Sequence, residues 1–182
     1  MVGLSRRNTS TVWQPSAAVV LQEHGSEFVA AIDDAPWSEG HGFHRGFFSS
    51  FRIRAGKNVW FHFPLQTPSK SNGVQQVLDA VSLMWEVLDG AQINWIVLQH
   101  GGMERMPLTE IGTEPPFESV PFDPPEQWRE YYPKAARRLT RITMEQPLPL
   151  RFGLQLSIGV KAADCDGTVR FYGAGAEFSD NA

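Results

Sequence analysis

Cysteine is almost missing from this chain. Cys165 stands alone, so no intrachain disulfide can form and a cysteine-based metal cluster or redox pair is excluded. No apolar run approaches the length that a membrane span needs. The opening MVGLSRRNTSTVW has two arginines but no apolar stretch behind them, so a signal peptide is not expected and a cytoplasmic protein is the simplest expectation. An excess of positive charge is also lacking. Sixteen basic against twenty acidic side chains give a net charge of -4, which argues against nucleic acid or an anionic membrane as partner, because such binding rests on phosphate neutralisation. There is no G-x-S-x-G elbow and no phosphate-binding glycine loop. Gly173-Ala174-Gly175 follows a strand but does not open a helix.

What the chain does have is β-forming sequence. With 182 residues, 42% apolar and 20% charged, it is long enough for one substantial core, and a single domain over residues 1–182 is expected. The stretch Arg151 to Phe178 places two β-rich runs around Asp164-Cys165-Asp166-Gly167 and predicts an antiparallel hairpin. Ser16 to Glu23 and Glu27 to Ile32 predict two short strands joined tightly at His24-Gly25-Ser26. Val59 to Leu65 is a further strand, with Val59, Phe61, Phe63 and Leu65 on one face and Trp60, His62 and Pro64 on the other. Ser82 to Leu88 and Gln92 to His100 predict strands around Asp89-Gly90, although Val77, Leu78, Val81 and Met84 also fit a helical stripe over Val74 to Met84.

Residues 1–15 form an N-terminal arm in this scheme. Pro107 to Pro149 stands apart, because it carries nine of the thirteen prolines, which remove backbone donors and forbid central strands. It is expected to be a long covering loop with one short helix near residues 124–132, where Asp123-Pro124-Pro125-Glu126 resembles a capped helix start. The fold class that follows is all-β: an antiparallel sandwich of jelly-roll type with about eight to ten strands.

Three stretches stand out together: Trp60 to Pro68 (WFHFPLQTP), the Gly90-Ala91-Gln92-Ile93 turn into a strand, and the closing Gly173 to Phe178 (GAGAEF). They resemble a family of uncharacterised bacterial and fungal proteins with W-F-H-F-x-x-x-T-P, G-A-x-I and a terminal G-A-G-A-x-F. The resemblance runs from about Gly56 to Phe178. It implies a shared sandwich architecture and no known activity.

The candidate functional residues fall into three groups. His41 and His44, with His62 on a strand and His100 at a strand end, form the one constellation that could ligate a transition metal, since imidazole suits zinc, copper, nickel or iron. Against it, no His-x-His pair sits on a strand, so a bound metal is not favoured. Six tryptophans offer stacking surfaces for a sugar. Trp85 and Trp95 lie among alternating apolar residues and are assigned to the core. Trp37, Trp60 and Trp128, with Tyr131 and Tyr132, are the better ligand-binding candidates. Lys134, Arg137, Arg138 and Arg141 could hold an anionic group or form a solvated face. Asp33-Asp34 and Asp164/Asp166 read as turn residues.

The function expected is a non-enzymatic binding module for a carbohydrate or another small polar ligand. The alternatives are an enzyme with a His-based metal site or acid-base cleft under the Pro-rich segment, and a structural or assembly subunit working as a homo-oligomer.

Overall fold

A computed structural model describes residues 8–32, 48–68, 70–71, 73–110, 119–121, 137–150 and 152–181. These residues form thirteen strands: β1 (Thr9–Pro15), β2 (Val20–Leu21), β3 (Val29–Ile32), β4 (Ser49–Ile53), β5 (Asn58–Leu65), β6 (Lys70–Ser71), β7 (Val74–Leu88), β8 (Ala91–His100), β9 (Glu104–Glu110), β10 (Ser119–Pro121), β11 (Arg138–Pro149), β12 (Leu154–Ala162) and β13 (Gly167–Asp180). A 3-10 turn at Ser16–Ala18 is the only helical element among them. The first sheet runs β10-β11-β7-β13-β4-β3, with β1 beside β13 and β6 beside β7; the second runs β2-β5-β12-β8-β9. Every strand pair is antiparallel. The chain crosses between the sheets from β4 to β5, β7 to β8, β11 to β12 and β12 to β13, so that β4-β13-β7-β11 faces β5-β12-β8-β9. That is the jelly-roll order.

This topology overturns the hairpin expected at Asp164–Gly167. β12 lies between β5 and β8 in the second sheet, whereas β13 lies in the first, along β7, β4 and β1. Asp89 and Gly90 do take the positive φ values of a tight turn, 55° and 84°, yet β7 and β8 also part into different sheets. The His24–Ser26 connection does the same between β2 and β3. A tight turn reverses the chain but does not oblige the two strands to share hydrogen bonds, and strands with partners already on both edges have no free edge to offer each other. These inter-sheet arcs stack on one another at one end of the sandwich. The Cys165 thiol donates to the Asp89 carbonyl at 3.4 Å, and Gly56 N–H donates to the Ala162 and Ala163 carbonyls at 3.1 and 2.6 Å.

Other elements differ from expectation in extent. Ser16 to Glu23 shortens to the 3-10 turn and the two-residue β2. Val74 to Leu88 is one continuous strand. Its helix-like apolar spacing comes from a bulge: Leu78 pairs with Phe178 and Ala80 with Glu177, so Asp79 is the extra residue and both Leu78 and Val81 reach the core. Within the N-terminal arm, Thr9–Pro15 is β1, clamped along β13.

The Pro-rich segment is not simply a covering loop, because Glu104–Glu110, Ser119–Pro121 and Arg138–Pro149 are strands. β11 tolerates Pro147 because its register breaks between Thr143 and Leu148, and Pro149 because, among the described residues, the other edge of β11 is covered only at Arg138–Thr140 by β10. The helix expected at 124–132 lies outside the described residues. The core between the sheets is apolar, with Phe51 and Phe171 from the first sheet packed on Phe61 and Phe63 from the second.

Candidate ligand-binding face

Period-two alternation puts Val59, Phe61, Phe63 and Leu65 of β5 into the core and leaves Trp60, His62 and Pro64 on the outside of the second sheet. On β12 the same logic buries Leu154, Leu156, Ile158 and Val160, so Gln155, Ser157 and Gly159 face outward. β8 reaches the same arrangement through a bulge. Val160 pairs with Ile93 and Gly159 with Trp95, which leaves Asn94 as the extra residue and turns Trp95, Val97 and Gln99 outward. Three rows result across β5, β12 and β8: Trp60–Gly159–Trp95, His62–Ser157–Val97 and Pro64–Gln155–Gln99.

Glycine keeps the first row open. A Cβ at Gly159 would lie 2.9 Å from Asn94 Oδ1, 3.2 Å from Trp95 Cβ and 3.4 Å from Trp60 Cη2. Without a side chain there, the Trp60 indole lies down across β12. Neither Trp60 nor Trp95 belongs to the core, and both are half-buried, which corrects the assignment of Trp95. Trp85, by contrast, packs on the core as expected and donates from Nε1 to Thr140 Oγ1 at 2.8 Å. The Trp60 backbone N–H donates to Glu23 Oε2 at 2.9 Å, and Arg105 Cζ of β9 sits 5.3 Å from the Trp60 ring centroid.

Beside the indoles runs a connected polar row. His62 Nε2 is 3.0 Å from Gln22 Oε1, and His62 Nδ1 is 2.8 Å from Ser157 Oγ and 3.1 Å from Gln155 Nε2. Gln155 Nε2 also donates to Gln99 Oε1 at 2.8 Å. Gln22 Oε1 can only accept and Gln155 Nε2 can only donate, so the ring is the neutral tautomer with its hydrogen on Nε2. The row ends at a shallow cleft of about 290 Å³ whose walls include Pro64, Gln99, His100, Gly153 and Gln155.

Burial pushes His62 below the ordinary imidazole value of 6.5, and the nearby Glu23 carboxylate only partly opposes this. A proton on Nδ1 would also set a donor against the Gln155 amide. Because the unfolded chain takes up that proton at higher pH than the folded one, the contribution of neutral His62 is fully present above pH 6.5 and is lost as pH falls through the lowered folded value. The His62 ring resonances are therefore expected to titrate below 6.5. Chemical denaturation should show a loss of stability over the same acidic range that His62→Gln flattens.

No family model matches the chain, and no curated protein matches it. Two solved structures are similar to it. One is TmCBM61 in complex with beta-1,4-galactotriose, 12% identical, with a TM-score of 0.43 over 92% of this chain and 88% of that one. The other is the catalytic unit of a thermostable GH87 alpha-1,3-glucanase from Streptomyces thermodiastaticus strain HF3-3, 14% identical with a TM-score of 0.35. It is matched over 94% of this chain but only 26% of its own length.

Of the residues singled out in the sequence, the fold brings Trp60 and His62 together. Trp37, His41, His44, Trp128, Tyr131 and Tyr132 lie outside the described residues, as do Asp33, Asp34 and Lys134. Arg137 and Arg138 do not join the Trp60–His62 face, because they lie at the start of β11 in the opposite sheet. Arg137 is buried, with Cζ 4.5 Å from the Tyr172 ring centroid. Tyr172 in turn donates to buried Glu86 at 2.9 Å, and Arg170 donates to the same carboxylate oxygen at 3.3 Å. Burial and the Glu86 charge push the Tyr172 phenol far upward, so this group stays protonated.

Arg141 makes a bidentate pair with Glu177, His100 faces Glu104 at 3.3 Å, and Asp166 anchors the Arg54 side chain and the Ala55 N–H. These are structural ties. A larger groove of about 720 Å³ opens between β9 and β11, where Met106, Leu108, Ile142, Met144 and Leu148 form the margin of the core. The indole row is distinguished from it by its connected hydrogen-bonding groups.

Sequence reasoning missed Trp95, Gly159, Ser157, Gln155, Gln99 and Arg105. A signal was present on β12, where Gln155, Ser157 and Gly159 alternate with apolar residues at period two.

Proposed function

We propose that this protein is a non-enzymatic binding module that takes a carbohydrate or another small polar ligand on the outer face of the second sheet. The observation that carries this reading is the Trp60–Gly159–Trp95 row lying directly beside the His62–Ser157–Gln155–Gln99 hydrogen-bonding row. A sugar ring presents an apolar C–H face and a rim of hydroxyls. Indoles suit the first, while imidazole, hydroxyl and amide groups suit the second.

The enzyme alternative has less to support it. Among the described residues no three His, Cys, Asp or Glu side chains gather in a way that could hold a metal. Both His62 ring nitrogens are already engaged by neighbours.

The test is a panel of neutral and charged oligosaccharides titrated against the wild-type chain and Gly159→Val, followed by tryptophan fluorescence. The valine fills the gap beneath Trp60 and places its Cβ against Asn94 and Trp95. Binding by the wild type that falls about tenfold or more in the variant, roughly 1.4 kcal/mol, is expected. Binding that Gly159→Val leaves untouched would place the ligand elsewhere, and a panel with no binder would remove the reading.

A further inference from the structure

We infer that the ligand of this face carries a carboxylate, as a uronic acid does, and that Arg105 recognises it with help from Lys161. This rests on the binding face proposed above and narrows its ligand from polar sugars in general to acidic ones.

Arg105 is exposed and comes from β9 at the sheet edge, opposite Gln99. Its guanidinium sits over the Trp60 ring, 5.3 Å from the centroid. It makes no hydrogen bond or ion pair with any described residue. The aromatic face therefore holds the guanidinium in place without neutralising its charge, and its five N–H donors meet no acceptor among the described residues. Of the carboxylates near it, Glu23 accepts from the Trp60 N–H and Glu104 faces His100.

A second cation shares the face. Lys161 follows Gly159 by two residues on β12, so it projects on the same side, about 7 Å further along the strand. It is exposed and has no ion-pair partner among the described residues. A chain of net charge -4 thus places two cations, without an ion-pair partner among the described residues, beside its half-buried indole row.

Among small polar ligands, a uronic acid meets both features. Its ring offers C–H bonds to Trp60, and its carboxylate matches the planar donor fork of Arg105, which is the geometry in which arginine differs most from lysine. A neutral sugar would satisfy the indole and offer the guanidinium hydroxyl oxygens, but neither a countercharge nor the paired oxygens of a carboxylate.

The experiment compares trigalacturonate with its methyl ester, which keeps the skeleton and removes the charge. Both are titrated into the full chain at low and high salt, with a neutral glycan panel alongside. The acid is expected to bind about tenfold tighter than the ester, in keeping with a charge-assisted bidentate contact. Added salt should narrow that gap, Arg105→Gln should abolish it, and Arg105→Lys should restore only part of it. Lys161→Gln in the otherwise wild-type chain should narrow it by less than Arg105→Gln does. Equal affinity for acid and ester overturns the inference, as does a preference that survives Arg105→Gln. Binding of neutral glycans without any preference for the acid overturns the carboxylate while leaving the binding face in place. Absence of binding by every ligand overturns both.

Discussion

Truncation of Phe171 to alanine is expected to lower the unfolding free energy by about 3–5 kcal/mol, the range for deleting a fully buried phenylalanine. Phe171 is 0% exposed on β13 and lies where the two sheets meet. Its ring centroid is 6.5 Å from that of Phe51 in the same sheet, and 5.0 and 5.7 Å from those of Phe61 and Phe63 in the other. Removing it therefore costs the transfer of a large apolar group and the tilted ring contacts that tie β13 to β5. Collapse into the gap is hindered, because β13 holds β4 and β7 through Phe171 and shifts register against β7 immediately afterwards, between Phe171 and Gly173. Urea unfolding at unchanged slope is the measurement. Phe152→Ala serves as the control, since that ring is 66% exposed and should change stability by no more than about 0.5 kcal/mol. A loss below about 1.5 kcal/mol at Phe171 would show that the aromatic cluster repacks freely around the deletion.

The same strand shows how far the sequence could be read. Alternation on β5 and the β-rich runs at β12 and β13 identified strands and their buried faces, because period two is a property of a single chain segment. Partnership is not such a property. The turns at Asp89–Gly90 and Asp164–Gly167 have hairpin chemistry, yet both carry the chain across the sandwich, since β7, β8, β12 and β13 each find their partners elsewhere. Prolines misled for a related reason. Pro147 and Pro149 would break a strand paired on both edges, but Pro147 falls where β11 bulges, and at both residues β11 has no partner beyond β7 among the described residues.

The candidate site divides along the same line. Trp60 and His62 could be placed on one face from β5 alone. Trp95 could not, because the bulge at Asn94 reverses the parity of β8 and turns outward a residue that unbroken alternation assigns to the core. Gly159, Gln155 and Gln99 acquire meaning only when β5, β12 and β8 lie side by side, for it is the lateral register that aligns them into rows. The arginines at 137 and 138 were grouped by nearness in sequence, and the fold sends them to the opposite sheet.

Replacing Trp60 by alanine is expected to weaken ligand binding by about 2 kcal/mol or more, some thirtyfold, as for a central aromatic anchor. The size of the effect follows from position. Trp60 stands at the meeting of the Gly159 gap, the Arg105 guanidinium and the polar row that begins at His62. Its loss removes the stacking surface and the support that holds Arg105. Stability should change far less than for Phe171→Ala, because the indole is outside the core and its one hydrogen bond to Glu23 is made by the backbone. Trp13→Ala is the matched control. Trp13 is 43% exposed and crosses Gly173 and Gly175 in the first sheet, so it offers a comparable indole on the other side of the molecule, and its removal should leave affinity unchanged. Equal losses from the two substitutions would mean that binding does not reside on the second sheet. The Trp60→Ala and Gly159→Val effects should fall short of adding, because part of what the valine does acts through the indole that the first substitution removes, and the rest through Asn94 and Trp95. A double variant that binds only slightly more weakly than Trp60→Ala alone would tie both residues to one stacking platform.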